Sequence, residues 1–103
     1  MFRIPPCCLT AYEVRGWSSS ARDWGIIAGR DGEHLVLAEI SPQYVEELAG
    51  LAFPSVMELN RALLRNSSRI IAEIELRYRA GEFVEKLRDG DVCRVVRVTG
   101  LAN

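Results

Sequence analysis

The reading of this chain turns on SVMELNRALLRNSSRIIAEIELRYRAG, residues 55–81. Ser55 can act as an N-cap, its hydroxyl accepting from the amide three residues on. Glu58 stands at that position and can reach back to complete a capping box. Gly81 offers the left-handed backbone that ends a helix. Between them lie about 25 residues without Pro or Gly, roughly 37 Å at 1.5 Å per residue. Val56, Leu59, Leu63, Ile70 and Ile74 recur at steps of three, four and seven and form one apolar stripe. Arg61, Arg65 and Arg69 step by four along another face. The pattern predicts one long helix packed by its stripe. Its weak point is Asn66-Ser67-Ser68, poor helix formers whose side chains compete for backbone hydrogen bonds. Ser67 falls on the stripe itself, where a small residue leaves room for a crossing element or a slight bend. A break into two helices is the alternative, disfavoured by the absence of Gly and Pro.

Outward from this helix, the 103 residues predict a single domain, with an irregular start over residues 1–8. Composition is that of a globular protein, 49% apolar and 26% charged. Thirteen basic against fourteen acidic residues leave a net charge of -1, which argues against a general polyanion binder but permits a local patch. No apolar run approaches the ~18–20 residues that span a bilayer, and residues 1–10 lack a signal-like apolar core. A cytoplasmic protein with no membrane partner is expected. Cys7, Cys8 and Cys93 are odd in number and two are adjacent, which is no secreted disulfide framework.

Upstream of the helix, Pro5-Pro6 favours an extended, irregular start. Alternation is compatible with an extra N-terminal strand over Leu9 to Gly16, with Thr10, Tyr12 and Val14 on one face. Ser18-Ser19-Ser20 lies in a polar loop. Trp24 to Ala28 and His34 to Ile40 read as a hairpin joined by Gly29-Arg30-Asp31-Gly32. His34, Val36, Ala38 and Ile40 face one way and Leu35, Leu37 and Glu39 the other. Both faces are apolar, as for a strand covered on both sides, or by the core and then a partner. Ser41-Pro42 opens a short helix with Val45, Leu48 and Ala49 on its apolar face, and Gly50 stops it. Phe53 is expected to pack under the start of the long helix. Downstream, Phe83 to Leu87 and Val92 to Thr99 flank Asp89-Gly90, a strong two-residue turn signal, although the first segment reads equally as a helical extension. The order β-β-α-α-β-β predicts an α+β fold: an antiparallel sheet of hairpin strands with one short and one long helix on one face.

The hairpin around Arg30-Asp31-Gly32, Ile40-Ser41 opening a helix with Val45 and Leu48, Asn60-Arg61, and the ending Ala80-Gly81-Glu82-Phe83 carry a resemblance. Over about Trp24 to Val98 the chain resembles an uncharacterised family of short bacterial α+β proteins classed as a domain of unknown function. The resemblance implies a fold and no activity.

Catalytic chemistry finds little purchase. His34 is the only histidine, hence the only possible base for a Ser or Cys nucleophile, and no nucleophile with a recognisable context accompanies it. Adjacent Cys7-Cys8 make a poor chelate, and no C-x-x-C or H-x-x-x-H spacing occurs. Inert thiols and a soft-metal or redox pair are the two readings of these cysteines. Cys93, mid-strand, reads as a small buried hydrophobe. Gly29-Arg30-Asp31-Gly32 is a hairpin turn, not a phosphate-cradling loop, and the acids around Asp89 lack a calcium-loop pattern. No cofactor, metal or catalytic residue is assigned, and the expectation is that the protein is not an enzyme.

Two surface features remain. Arg61, Arg65 and Arg69 carry like charges at i, i+4 with no acid between them, at a cost of a few tenths of a kcal/mol each. Either they lie on a solvated face tied into pairs, Glu73 with Arg69 and Arg77 and Glu58 with Arg61, or to acids on other elements, or they contact phosphate or acidic protein through the bidentate guanidinium fork. Arg94 and Arg97 point to opposite faces of their strand, so at most one extends the ridge. Trp24 reads as core, and Trp17 stands between core residue and interface anchor. The sequence therefore leads to a small non-enzymatic interaction or regulatory module, self-associating, as a homodimer for example, through a sheet edge or the long helix. A nucleic-acid-associated regulator using the arginines is the first alternative. A small inhibitor of phage or mobile-element anti-defence type is the second.

Overall fold

The computed structural model describes residues 9–17, 24–52 and 54–99. The readings made for Pro5-Pro6, Cys7, Cys8, the serine loop and Phe53 lie outside the described residues. The elements in chain order are β1 (Leu9–Gly16), β2 (Gly25–Asp31), β3 (His34–Ile40), α1 (Pro42–Ala49), α2 (Val56–Arg65), α3 (Ser67–Arg79), β4 (Val84–Arg88) and β5 (Asp91–Val98). The fold is α+β, with one five-stranded sheet in the order β1-β2-β3-β5-β4. No helix among the described residues is long and apolar enough to cross a membrane.

Three expectations change. The sheet is mixed rather than antiparallel throughout, because β3 and β5 pair in parallel from Leu35↔Cys93 to Ile40↔Val98. Both strands carry apolar residues on both faces, and the interior of the sheet is where such strands belong. Each brings its own antiparallel neighbour outward, β2 on one side and β4 on the other. The first hairpin also turns later than expected, through Gly32-Glu33 after the pair Asp31↔His34. Gly29 lies inside β2, and a Cβ there would stand 3.3 Å from the Tyr12 ring, so this glycine serves close packing instead of the turn.

The third change concerns the long helix, which divides at Asn66 into α2 and α3. Asn66 adopts φ -106, ψ 17. Its side-chain Nδ2 donates to the Ala62 carbonyl at 2.9 Å, beside its own backbone N–H at 3.0 Å. The competition for backbone partners that makes Asn a poor helix former here bends the chain without Gly or Pro. The Asn66 carbonyl still accepts from Ile70, so the two helices remain joined by backbone hydrogen bonds.

The end signals act as their chemistry dictates. Ser55 and Glu58 form both halves of the capping box. Gly81, at φ 78, closes α3 with Glu82 N–H on the Arg77 carbonyl and Gly81 N–H on the Tyr78 carbonyl, a Schellman motif. Ser41 caps α1 and also donates from its hydroxyl to the Thr99 carbonyl, tying the ends of β3 and β5 together.

The main core lies between the helices and one face of the sheet. Leu59, Leu63, Ile70, Ile74 and Tyr78 meet Ile27, Val36, Ala38, Ile40, Val96 and Val98. On the opposite face Ala28, Leu37, Cys93 and Val95 form a second buried cluster that contains no helical residue. Ile26 and Leu35 pack against it, and the same face also carries Arg30, Glu39, Lys86 and Arg97, long side chains whose aliphatic stems can cover apolar surface.

Candidate interaction surface

Arg61, Arg65 and Arg69 are exposed, and none forms an ion pair among the described residues. The compensating acids are engaged elsewhere. Glu58 accepts from the Ser55 amide, and Glu73 pairs with Arg77 at 2.9 Å. Arg61 and Arg65 line a groove of about 470 Å³ between α1 and α2, floored by Leu48, Leu51 and Ala62. Arg69 does not line this groove, and its charge reaches Tyr44 of α1. Burial raises the Tyr44 phenol above its ordinary value and Glu73 adds to this, while Arg77 and Arg69 oppose it. The bend at Asn66 thus falls inside the ridge.

Trp17 takes the core reading. It is 4% exposed, and its ring lies where a Cβ on Gly25 would approach it to 2.7 Å. Its backbone is clamped to α2: Trp17 N–H donates to Asn60 Oδ1 at 2.8 Å, and Asn60 Nδ2 donates to the Trp17 carbonyl at 3.1 Å. Asn60 thereby supplies what a neighbouring strand would. Trp24 is half-buried with the Arg97 guanidinium 5.2 Å above its ring, and Arg97 also pairs with Glu39 at 2.9 Å.

Arg94 faces the helices, as the strand alternation requires. Its Nη1 donates to Tyr78 Oη at 2.6 Å and to Asp31 Oδ2 at 3.3 Å, and Tyr78 Oη donates to the same carboxylate. Phe83 stacks on Tyr78 at 5.0 Å with the Arg94 guanidinium 5.0 Å from its own ring, and Glu85 stands 3.6 Å from Arg94 Nε. Burial raises the Tyr78 phenol, the hydrogen bond to Asp31 raises it further, and Arg94 opposes both. Arg94 is itself raised, mainly by its bond to Tyr78, and stays charged. Every charge in this cluster has a partner. It fastens the end of α3 to β2 and β5.

The β4–β5 hairpin leaves both backbone groups and apolar side chains open at the surface. Asp89 and Gly90, both at positive φ, make its two-residue turn. Among the described residues β4 has a neighbour on one side only, and all five of its residues are exposed. Leu87 is 74% exposed, Val84 56% and Val92 49%. Leu87 and Val92 face each other across the ladder, so they form one patch. The opposite edge, β1, is irregular: its register against β2 shifts twice, and Ala11 takes a positive φ. Such irregularity blunts an edge against further pairing. The register of β4 runs without a shift from Val84↔Val95 to Arg88↔Asp91, leaving a straight ladder edge. The sequence leaves residues 83–87 open between a strand and a helical extension, and only strand order reveals that Val84 and Leu87 lie at a margin.

No family model, curated protein or solved structure matches this chain.

Proposed function

We propose that this protein is a small non-enzymatic interaction module whose contact surface is the β4 edge with its Leu87–Val92 patch. The observation that carries the reading is an unshifted edge strand, exposed along its whole length, beside three large exposed apolar side chains. An edge of this kind offers a row of backbone donors and acceptors to an added strand, and flanking side chains supply specificity. A second reading rests on a different observation. Three exposed arginines without ion-pair partners among the described residues, two of them along a groove, suit a phosphate or nucleic-acid contact.

The test is affinity capture from host extract by the tagged chain, with and without nuclease, in parallel with Val84→Ser/Leu87→Ser and Arg61→Glu/Arg65→Glu/Arg69→Glu variants. A defined partner retained through nuclease and lost from the serine variant is the expected result. Recovery that collapses with nuclease and with the glutamate variant would transfer the function to the ridge. Capture that neither variant alters would sink both readings.

A further inference from the structure

The occupant of the β4 edge can be narrowed by charge. In β4 the side chains of Val84, Lys86 and Arg88 share the sheet face opposite the helices, because they pair with Val95, Cys93 and Asp91. Glu85 and Leu87 point to the helix side, and Glu85 is already committed to Arg94. Lys86 and Arg88 have no ion-pair partner among the described residues, although Arg88 stands opposite Asp91 in the ladder. The open edge therefore presents two cations on one face with an exposed leucine between them on the other.

A second copy of the chain fits this edge poorly. Antiparallel addition about a two-fold axis keeps the faces of the sheet together, so the axis must pass through a residue pair i↔i′. Axes at Glu85, Lys86 or Arg88 set each of these residues opposite its own copy. An axis at Leu87 sets Lys86 opposite Arg88 of the other copy, twice. Like charges directly opposite one another destabilise a strand pair. An axis at Val84 avoids the clash but runs the new ladder onto Phe83 and Glu82. Their amides already donate to the carbonyls of Gly81 and Arg77.

We infer that β4 accepts an extended segment of a different protein, with acidic residues at alternate positions facing Lys86 and Arg88 and an apolar residue between them over Leu87. This rests on the reading of β4 as the contact edge and adds the chemical class of the partner. The self-association expected from the sequence is thereby assigned away from this edge.

The experiment uses the full chain and two blocked threonine nonapeptides, one with a central Glu-Val-Glu triplet and one with Lys-Val-Lys. Titrations are followed by amide chemical shifts, and the oligomeric state is measured by sedimentation. The Glu-Val-Glu peptide should shift the amides of residues 84–88 and bind several-fold more tightly, up to about tenfold for two exposed cross-strand ion pairs. A Lys86→Glu/Arg88→Glu variant, with its amide fingerprint checked for an unchanged fold, should reverse the preference, and the parent should form no dimer through β4. Equal or tighter binding of the Lys-Val-Lys peptide at β4, or a dimer formed through β4, would overturn the acidic-partner inference while leaving the edge as the contact site. If neither peptide moves residues 84–88 and the serine variant captures the same proteins as the parent, the edge reading itself fails.

Discussion

Replacing Asn60 by alanine removes the clamp that holds the end of β1 on α2. Two hydrogen bonds go, one to the Trp17 amide and one to its carbonyl, and both backbone groups are partly buried. Each costs about 1 kcal/mol if water replaces the side chain and up to about 3 kcal/mol if the group is left dry. Partial burial places the sum at about 2–3 kcal/mol. For a domain of this length that corresponds to a melting temperature lower by about 10–20 °C. Asn60→Asp gives a signed control. At neutral pH its carboxylate still accepts from the Trp17 amide but faces the Trp17 carbonyl with no proton to donate. Protonation restores a donor, so the carboxyl pKa in the folded state should rise above the ordinary value near 4. Stability gained from a raised pKa is present at pH below the unfolded value and is lost as pH climbs through the folded one. The Asn60→Asp variant should therefore narrow its deficit against the parent as pH falls toward about 4.

Gly16 supplies the test of mechanism. A Cβ there would fall 2.3 Å from Asn60 Oδ1, and the residue sits at φ +67. Gly16→Ala meets both the clash and the left-handed backbone, whereas in the Asn60→Ala background only the backbone strain of about 1–2 kcal/mol remains. The double variant should thus be more stable than the sum of the single losses. Urea and thermal unfolding, with Trp fluorescence as the local probe, measure all four corners of the cycle. An Asn60→Ala loss under about 0.5 kcal/mol, or strictly additive losses, would refute the clamp and leave Trp17 held by ring packing alone.

Two further outcomes follow from burial and charge. Tyr44 and Tyr78 both have raised phenol pKa values, so spectrophotometric titration of the folded protein should show them ionising above the ordinary range near pH 10. Their protonated forms contribute stability below about pH 10 that is lost at higher pH, and Tyr78→Phe should flatten that alkaline slope. Leu63→Ala, at a fully buried position, should cost about 2–5 kcal/mol. Leu64→Ala, one residue on and exposed, should stay within about 0.5 kcal/mol. Equal losses at the two positions would mean that the apolar stripe has been assigned to the wrong face of α2.

The elements were legible where one residue type meets one local physical demand. Ser55 with Glu58, Ser41 before Pro42, Gly81, and Asp89-Gly90 each solve a backbone problem within four residues, and each stands where its chemistry puts it. Asn66 shows the limit of that logic. The conflict between its side chain and the helix was visible, but which partner wins depends on the packing of Leu63 and Ile70 on either side, a tertiary matter. The parallel pairing of β3 with β5 was hidden for the same reason. Hairpin signals describe neighbours in sequence, and this pair is brought together by three intervening helices and a strand. Of the pairings read along the helix, Glu73 with Arg77 forms, whereas Glu58 turns back to the Ser55 amide instead of Arg61, and Arg69 has no ion pair among the described residues.

The candidate site was hidden more deeply, because an edge is a property of strand order and not of a strand. VEKLR carries the alternation of a half-exposed strand whether it lies inside a sheet or at its margin. Placed between two strands, Lys86 and Arg88 would each need a partner on the next strand, and Leu87 would be covered. At the margin the same three side chains become an unmet demand for opposite charge and for apolar contact. What puts them there is β5: its apolar residues on both faces hold it against β3 in the interior, and a two-residue turn leaves β4 only the outside. The surface proposed for recognition thus follows from the burial of Val95, Val96 and Val98, residues that a partner need never touch.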